Sequence, residues 1–98
     1  MTKTNTFVGK YGLKKLRYLQ SEKKSVYNRL LKENTLHEYL VEVQELAQEM
    51  ESDLVKQMAL KKGVTEELKA KDMMKWVSLM NNFRNCAEEI VCDQVIYN

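Results

Sequence analysis

Two stretches decide the fold: LHEYLVEVQELAQEMESDLVKQM at residues 36–58 and WVSLMNNFRNCAEEIVCDQVIY at residues 76–97. In the first, Leu36, Leu40, Val43, Ala47, Met50, Leu54 and Met58 recur at steps of three and four, one apolar stripe along a helix. In the second, Trp76, Met80, Phe83, Ala87, Ile90, Gln94 and Tyr97 follow the same steps as a heptad seam, widened by Met73, Val77, Val91 and Val95. Thr35-Leu36-His37-Glu38 has the form of a capping box that opens the first helix, and Gly63 can close it in the left-handed conformation. Val64-Thr65-Glu66-Glu67 reads as a fresh start, its acids favourable at a positive helix end, and Asp72 reads as the next N-cap. The spacing therefore predicts a long helix over 35–62, a short one over 65–70 and a C-terminal one over 72–97. At 1.5 Å per residue the first spans roughly 40 Å.

Towards the N-terminus the pattern weakens. Residues 1–8 read as a flexible lead. Residues 9–33 read as basic front helices: Leu13, Leu16 and Leu19 form one apolar side. Ser21-Glu22 is a cap for a second helix that buries Val26, Tyr27, Leu30 and Leu31. The chain has 98 residues, no proline and only three glycines, so a single all-α domain with long uninterrupted helices follows. The expected architecture is a helical hairpin of two long antiparallel amphipathic helices, with one or two short N-terminal helices packed across it. A compact domain of this length has a radius of gyration near 13 Å, and a helix of about 40 Å overhangs such a body. A second copy is the simplest cover, so a homodimeric bundle is expected. Gln94 would then either set the register of the seam or turn to solvent near the chain end.

The net charge of +2 hides an asymmetry. Residues 1–33 sum to +7, residues 34–72 to −4 and residues 73–98 to −1. The basic front interleaves Lys10, Lys14, Lys15, Arg17, Lys23, Lys24 and Arg29 with Tyr11, Tyr18 and Tyr27. Cations that neutralise phosphates, beside aromatics that stack, suit DNA or RNA. The nucleic-acid candidates are Lys10, Tyr11, Lys14, Lys15, Arg17, Tyr18, Lys23, Lys24 and Arg29. A rival use lies in the chain itself. Glu38, Glu42, Glu45, Glu49 and Asp53 fall on one side of the long helix, where like charges repel unless cations from the same subunit or its partner face them.

Chemistry has little to stand on. No Gly-rich phosphate loop, nucleophile elbow or metal-ligand spacing occurs, so neither an enzyme nor a cofactor, metal or small-molecule substrate is expected. Cys86 and Cys92 lie six apart on one expected helix, too far for a disulfide, and read as idle thiols. His37 reads as an exposed residue. No apolar run approaches the roughly 18 residues of a membrane span, and no secretory leader is read, so the cytoplasm is the expected location.

The order of several segments resembles a known family. The run Gly9-Lys10-Tyr11-Gly12-Leu13-Lys14-Lys15-Leu16-Arg17-Tyr18-Leu19 is similar to the GKYG-plus-basic opening of the transposon-encoded proteins called TnpV. The likeness continues through Tyr27-Asn28-Arg29-Leu30-Leu31 and Leu36-His37-Glu38-Tyr39-Leu40. It is denser in Leu54–Ala59, Gly63–Ala70, Trp76-Val77, Met80-Asn81-Asn82 and Ala87–Val91, and covers residues 8–97. The resemblance implies a small accessory protein of transposons and conjugative elements, and supplies no activity. Many relatives carry a longer N-terminal lead, which MTKTNTF replaces here.

Two functions follow as expectations. One is an accessory factor of a mobile element that contacts nucleic acid through its basic front. The other is a module that docks on a host or element protein, for instance a counter-defence inhibitor. Trp76, Met80, Phe83, Ile90, Gln94 and Tyr97, or the acidic Glu38, Glu42, Glu45 and Glu49, would form its interface.

Overall fold

A computed structural model describes residues 8–98, and no strand occurs among them. The expected lead over residues 1–8 therefore lies, apart from Val8, outside the described residues. Five α-helices follow in order: α1 (Gly9–Glu22), α2 (Lys24–Lys32), α3 (Leu36–Lys61), α4 (Glu66–Lys71) and α5 (Met73–Val91). A π-helical turn over Cys92–Ile96 completes the chain.

The helix ends have identifiable causes. Asn34 (φ +62°) and Gly63 (φ +67°) are left-handed, and each closes the helix before it. At the first, the N–H of Thr35 reaches the Leu30 carbonyl and that of Asn34 reaches Leu31. At the second, Val64 reaches Ala59 and Gly63 reaches Leu60 in the same pattern. Gly63 thus ends α3 as its position suggested. The capping box at Thr35 does not form: its hydroxyl accepts no capping bond, because the residue serves as the tail of the α2 stop. Thr65 and Asp72 do cap, accepting from the N–H groups of Leu68 (3.5 Å) and Lys75 (3.1 Å). Ser21-Glu22 caps nothing; the α1–α2 break falls at Lys23, and the Ser21 hydroxyl donates back to the Tyr18 carbonyl.

Two apolar clusters set the packing. Val43 and Ala47 of α3 meet Val91 and Ile96 together with Tyr11 of α1, while Val55 further along α3 meets Phe83, Ala87 and Val64. Early α3 therefore faces the end of α5 and late α3 faces its beginning, so the two run in opposite directions. The π turn explains why the seam breaks. The Tyr97 N–H bonds the Cys92 carbonyl five residues back, and the wider turn brings Ile96 into the core while Gln94 goes to solvent.

The front helices differ from expectation. α1 buries Tyr11, Lys15 and Leu19, with Gly9 and Gly12, and not the Leu13–Leu16–Leu19 line; Leu13 is exposed. Leu31 of α2 is exposed as well. α1 packs on α3 and on the chain's last turn. Its first residues, Gly9 to Gly12, meet Leu40, Gln44 and Glu51 in the first two-thirds of α3, and Lys15 and Tyr18 then meet Val95, Ile96 and Tyr97 at the chain's end. The body measures 54 × 32 × 17 Å with a radius of gyration of 16.9 Å, more extended than a compact chain of this length.

Close approach of α1 to α3 depends on Gly12. A Cβ there would stand 2.3 Å from Val8 Cγ1 and 3.1 Å from the Leu40 carbonyl oxygen. Gly→Ala inside a helix ordinarily gains about 1 kcal/mol. Here overpacking against α3 opposes that gain, at about 1–3 kcal/mol. Gly12→Ala is expected to lower the thermal midpoint by several degrees, at about 4–8 °C per kcal/mol. A melt followed by circular dichroism decides, and a raised midpoint would show that helix propensity outweighs the contact.

Candidate nucleic-acid interface

Two of the three large side chains that α1 turns inward, Tyr11 and Lys15, are polar, and each is satisfied by a neighbouring segment. Tyr11 is fully buried, and its hydroxyl donates to the Glu51 carboxylate, itself 9% exposed. The Lys10 ammonium stands 3.9 Å from Glu51 and 3.4 Å from Glu88, joining α3 to α5 through α1. Gln44 of α3 accepts the backbone N–H groups of Tyr11 (2.9 Å) and Gly12 (3.2 Å), two donors that a helix start leaves without intrahelical partners. Gly9, at φ +77°, leaves room for that carboxamide: a Cβ would fall 2.4 Å from its carbon. All four residues of the Gly9-Lys10-Tyr11-Gly12 run are thus anchoring groups for α1.

Lys15 closes the other end. Only 5% exposed, it donates to the carbonyls of Val95 (3.2 Å) and Ile96 (2.9 Å), where the last helix leaves acceptors unpaired. A cation at a helix C-terminus also suits the partial negative charge there. Burial, with Lys23 nearby, lowers the Lys15 pKa from the usual lysine range. Its ammonium lies 5.4 Å from the Tyr18 ring centre, and Tyr18 meets Tyr97 edge-on at 5.5 Å.

Of the nucleic-acid candidates, Tyr11 and Lys15 are therefore inside the fold and cannot meet a phosphate, and Lys10 is exposed but paired with acids. Tyr18 is half-buried. Lys14, also half-buried, borders an open cleft with Glu88, Cys92, Asp93 and Tyr97. Arg17, Lys23, Lys24 and Arg29 are exposed around the α1–α2 corner and make no ion pair among the described residues.

Among the interface candidates, Phe83 is buried in the core, whereas Trp76, Met80 and Ile90 are half-buried. Trp76 and Met80 edge a groove of about 450 Å³ with Val55, Ala59, Leu60 and Val64, and the Lys69 ammonium sits 4.7 Å from the indole centre. Gln94, Tyr97, Glu38, Glu42, Glu45 and Glu49 are exposed. Lys15 borders one groove with Glu42 but donates to the C-terminal carbonyls, and neither it nor Lys10 forms an ion pair with the acidic stripe; the carboxylates that receive Lys10 are Glu51 and Glu88, neither of which the sequence singles out. Glu51 had a signal: it lies four residues from both Ala47 and Val55, in the middle of the buried side of α3.

Cys86 is exposed and Cys92 half-buried; burial pushes the Cys92 thiol up. Among the described residues no three His, Cys, Asp or Glu side chains are placed to hold a metal ion, and no helix is long and apolar enough to cross a membrane.

Burial, then the donated hydrogen bond to Glu51 and its charge, raises the Tyr11 pKa above its usual 10.0. In the unfolded chain Tyr11 ionises near that usual value, while the folded chain keeps the proton. Its contribution to stability is present below pH 10 and is lost as pH rises beyond it. Denaturant titrations between pH 8 and about pH 11 should show a steeper stability loss for the wild type than for Tyr11→Phe. The variant should also be weaker at neutral pH by about 1–3 kcal/mol, because Glu51 loses its donor. Equal slopes would remove the buried Tyr11–Glu51 bond from the account.

No curated protein and no solved structure matches this chain. The family model described as transposon-encoded protein TnpV matches residues 1–96. With the anchoring run Gly9–Gly12 inside that match and nearly the whole chain covered, the protein belongs to the TnpV family.

Proposed function

We propose that this protein is a non-enzymatic accessory factor of a mobile genetic element and that its α1–α2 corner contacts nucleic-acid phosphates. The observation that carries this reading is the division of labour among the basic residues. Lys10 and Lys15 are taken up by Glu51, Glu88 and the C-terminal carbonyls. Arg17, Lys23, Lys24 and Arg29, joined by Lys32, remain in water and form no ion pair among the described residues. Such a corner attracts a polyanion by releasing its counterions, a contact without base specificity.

A second reading, docking on an element or host protein as a counter-defence inhibitor would, draws on the groove between α3 and α5. Leu60 and Trp76 border it, and Leu60 is 80% exposed. Groove and corner lie towards opposite ends of the molecule, so variants separate the two.

Binding to short DNA and RNA duplexes and single strands, measured by fluorescence anisotropy, should weaken steeply between about 50 and 200 mM salt. Reversal of Lys23, Lys24 and Arg29 to Glu should abolish binding and flatten the salt dependence. Reversal of Lys61 and Lys62 at the far end of α3 should change it little. No binding at low salt would sink the phosphate reading and leave docking in its place.

A further inference from the structure

On α3 the exposed residues Glu38, Glu42, Glu45, Glu49 and Asp53 share one side, and the helical repeat puts Leu46, Lys56 and Leu60 on it too. Leu46 is 52% and Leu60 80% exposed. The side is sorted along its length: carboxylates come first, then Lys56 and Leu60, then Lys61 and Lys62 at the helix end. Two open grooves follow it, one of about 640 Å³ beside Glu45, Glu49 and Asp53, the other the 450 Å³ groove beside Trp76. Lys56 lines both.

Carboxylates at i,i+4 repel one another. No cation of the same subunit makes an ion pair with the five on this side, among the described residues. Lys10, exposed and paired with Glu51 and Glu88, and the buried Lys15 are bound elsewhere. The cations on and beside this side stand at its other end, so one copy supplies what another lacks.

We propose that the outward side of α3 is the contact surface for a second copy of this chain, the two α3 helices packing antiparallel about a two-fold axis near Asp53. In that register Leu46 of each copy lies against Leu60 of the other, and Glu49 lies across from Lys56. Symmetry makes each contact twice. A parallel pairing would set all five carboxylates against their equivalents, whereas this register does so only at Asp53.

Size limits how much α3 does alone. A standard interface covers about 800 Å² on each partner. An α3 side about 39 Å long and about 10–12 Å wide supplies roughly half of that. The rest falls to the groove walls around Thr65, Glu66, Trp76 and Met80. The arrangement also carries the two basic α1–α2 corners to opposite ends of the pair.

Light scattering and sedimentation on the full chain decide the matter without any nucleic acid. In low salt the mass should be twice 11.6 kDa. Glu49→Lys and Lys56→Glu, each alone, should raise the dimer dissociation constant about tenfold or more, and the double variant should recover most of that loss. With Cys86 and Cys92 changed to Ser, Asp53→Cys should give a disulfide-linked pair on mild oxidation. A monomer at about 100 µM in low salt, well above typical dimer dissociation constants, would overturn the proposal. So would a dimer that ignores both single reversals, or one that Asp53→Cys does not link.

Discussion

The docking of α1 onto α3 and the C-terminal π turn is the constraint from which the rest of the structure follows. Its buried side is made from Tyr11, Lys15 and Leu19, so two of its three large groups are polar. Burying such a side is unfavourable unless each polar atom finds a partner, since an unsatisfied buried group costs about 1–3 kcal/mol. Glu51 answers Tyr11, the final carbonyls answer Lys15, and Gln44 answers the opening N–H groups. These contacts are directional where an apolar stripe is not, so they set both the orientation of α1 and its position along its neighbours.

The same contacts tie the two ends of the chain together. α1 begins at Gly9 and its Lys15 holds Val95 and Ile96, some eighty residues later. The π turn contributes by changing the pitch after Val91, which seats Ile96 in the cluster formed by Tyr11, Val43 and Ala47. Without that change the heptad spacing would direct Gln94 at the core. The polar residue inside the seam and the wider turn are two sides of one adjustment.

Charge is partitioned by this packing. A front segment of net +7 has one cation buried, Lys15, and a second, Lys10, paired with acids, while Arg17, Lys23, Lys24, Arg29 and Lys32 stay exposed around the α1–α2 corner. The acidic side of α3 forms no ion pair with the front cations among the described residues, although Lys15 and Glu42 border one groove. The molecule therefore presents a basic corner and an acidic flank that do not neutralise each other, a layout suited to intermolecular contacts more than to a closed, self-complementary surface.

Much of this was legible in the residues. The three-and-four spacing of Leu36–Met58 and Trp76–Tyr97, the left-handed stop at Gly63 and the caps at Thr65 and Asp72 are local properties. Periodicity and backbone sterics are enough to determine them, and with them the all-α class. What the tertiary structure decided concerns groups whose meaning depends on a partner distant in sequence. Lys15 reads as a solvated cation until the C-terminal carbonyls are placed beside it, and Tyr11 as a stacking aromatic until Glu51 is. Thr35 has the chemistry of a cap, but the stop of α2 claims its backbone first. Gly9 and Gly12 look like helix interruptions, yet they are the points where α3 comes closest. Propensity is written along the chain, whereas the environment that assigns a polar side chain to core or to surface exists only once the helices have packed.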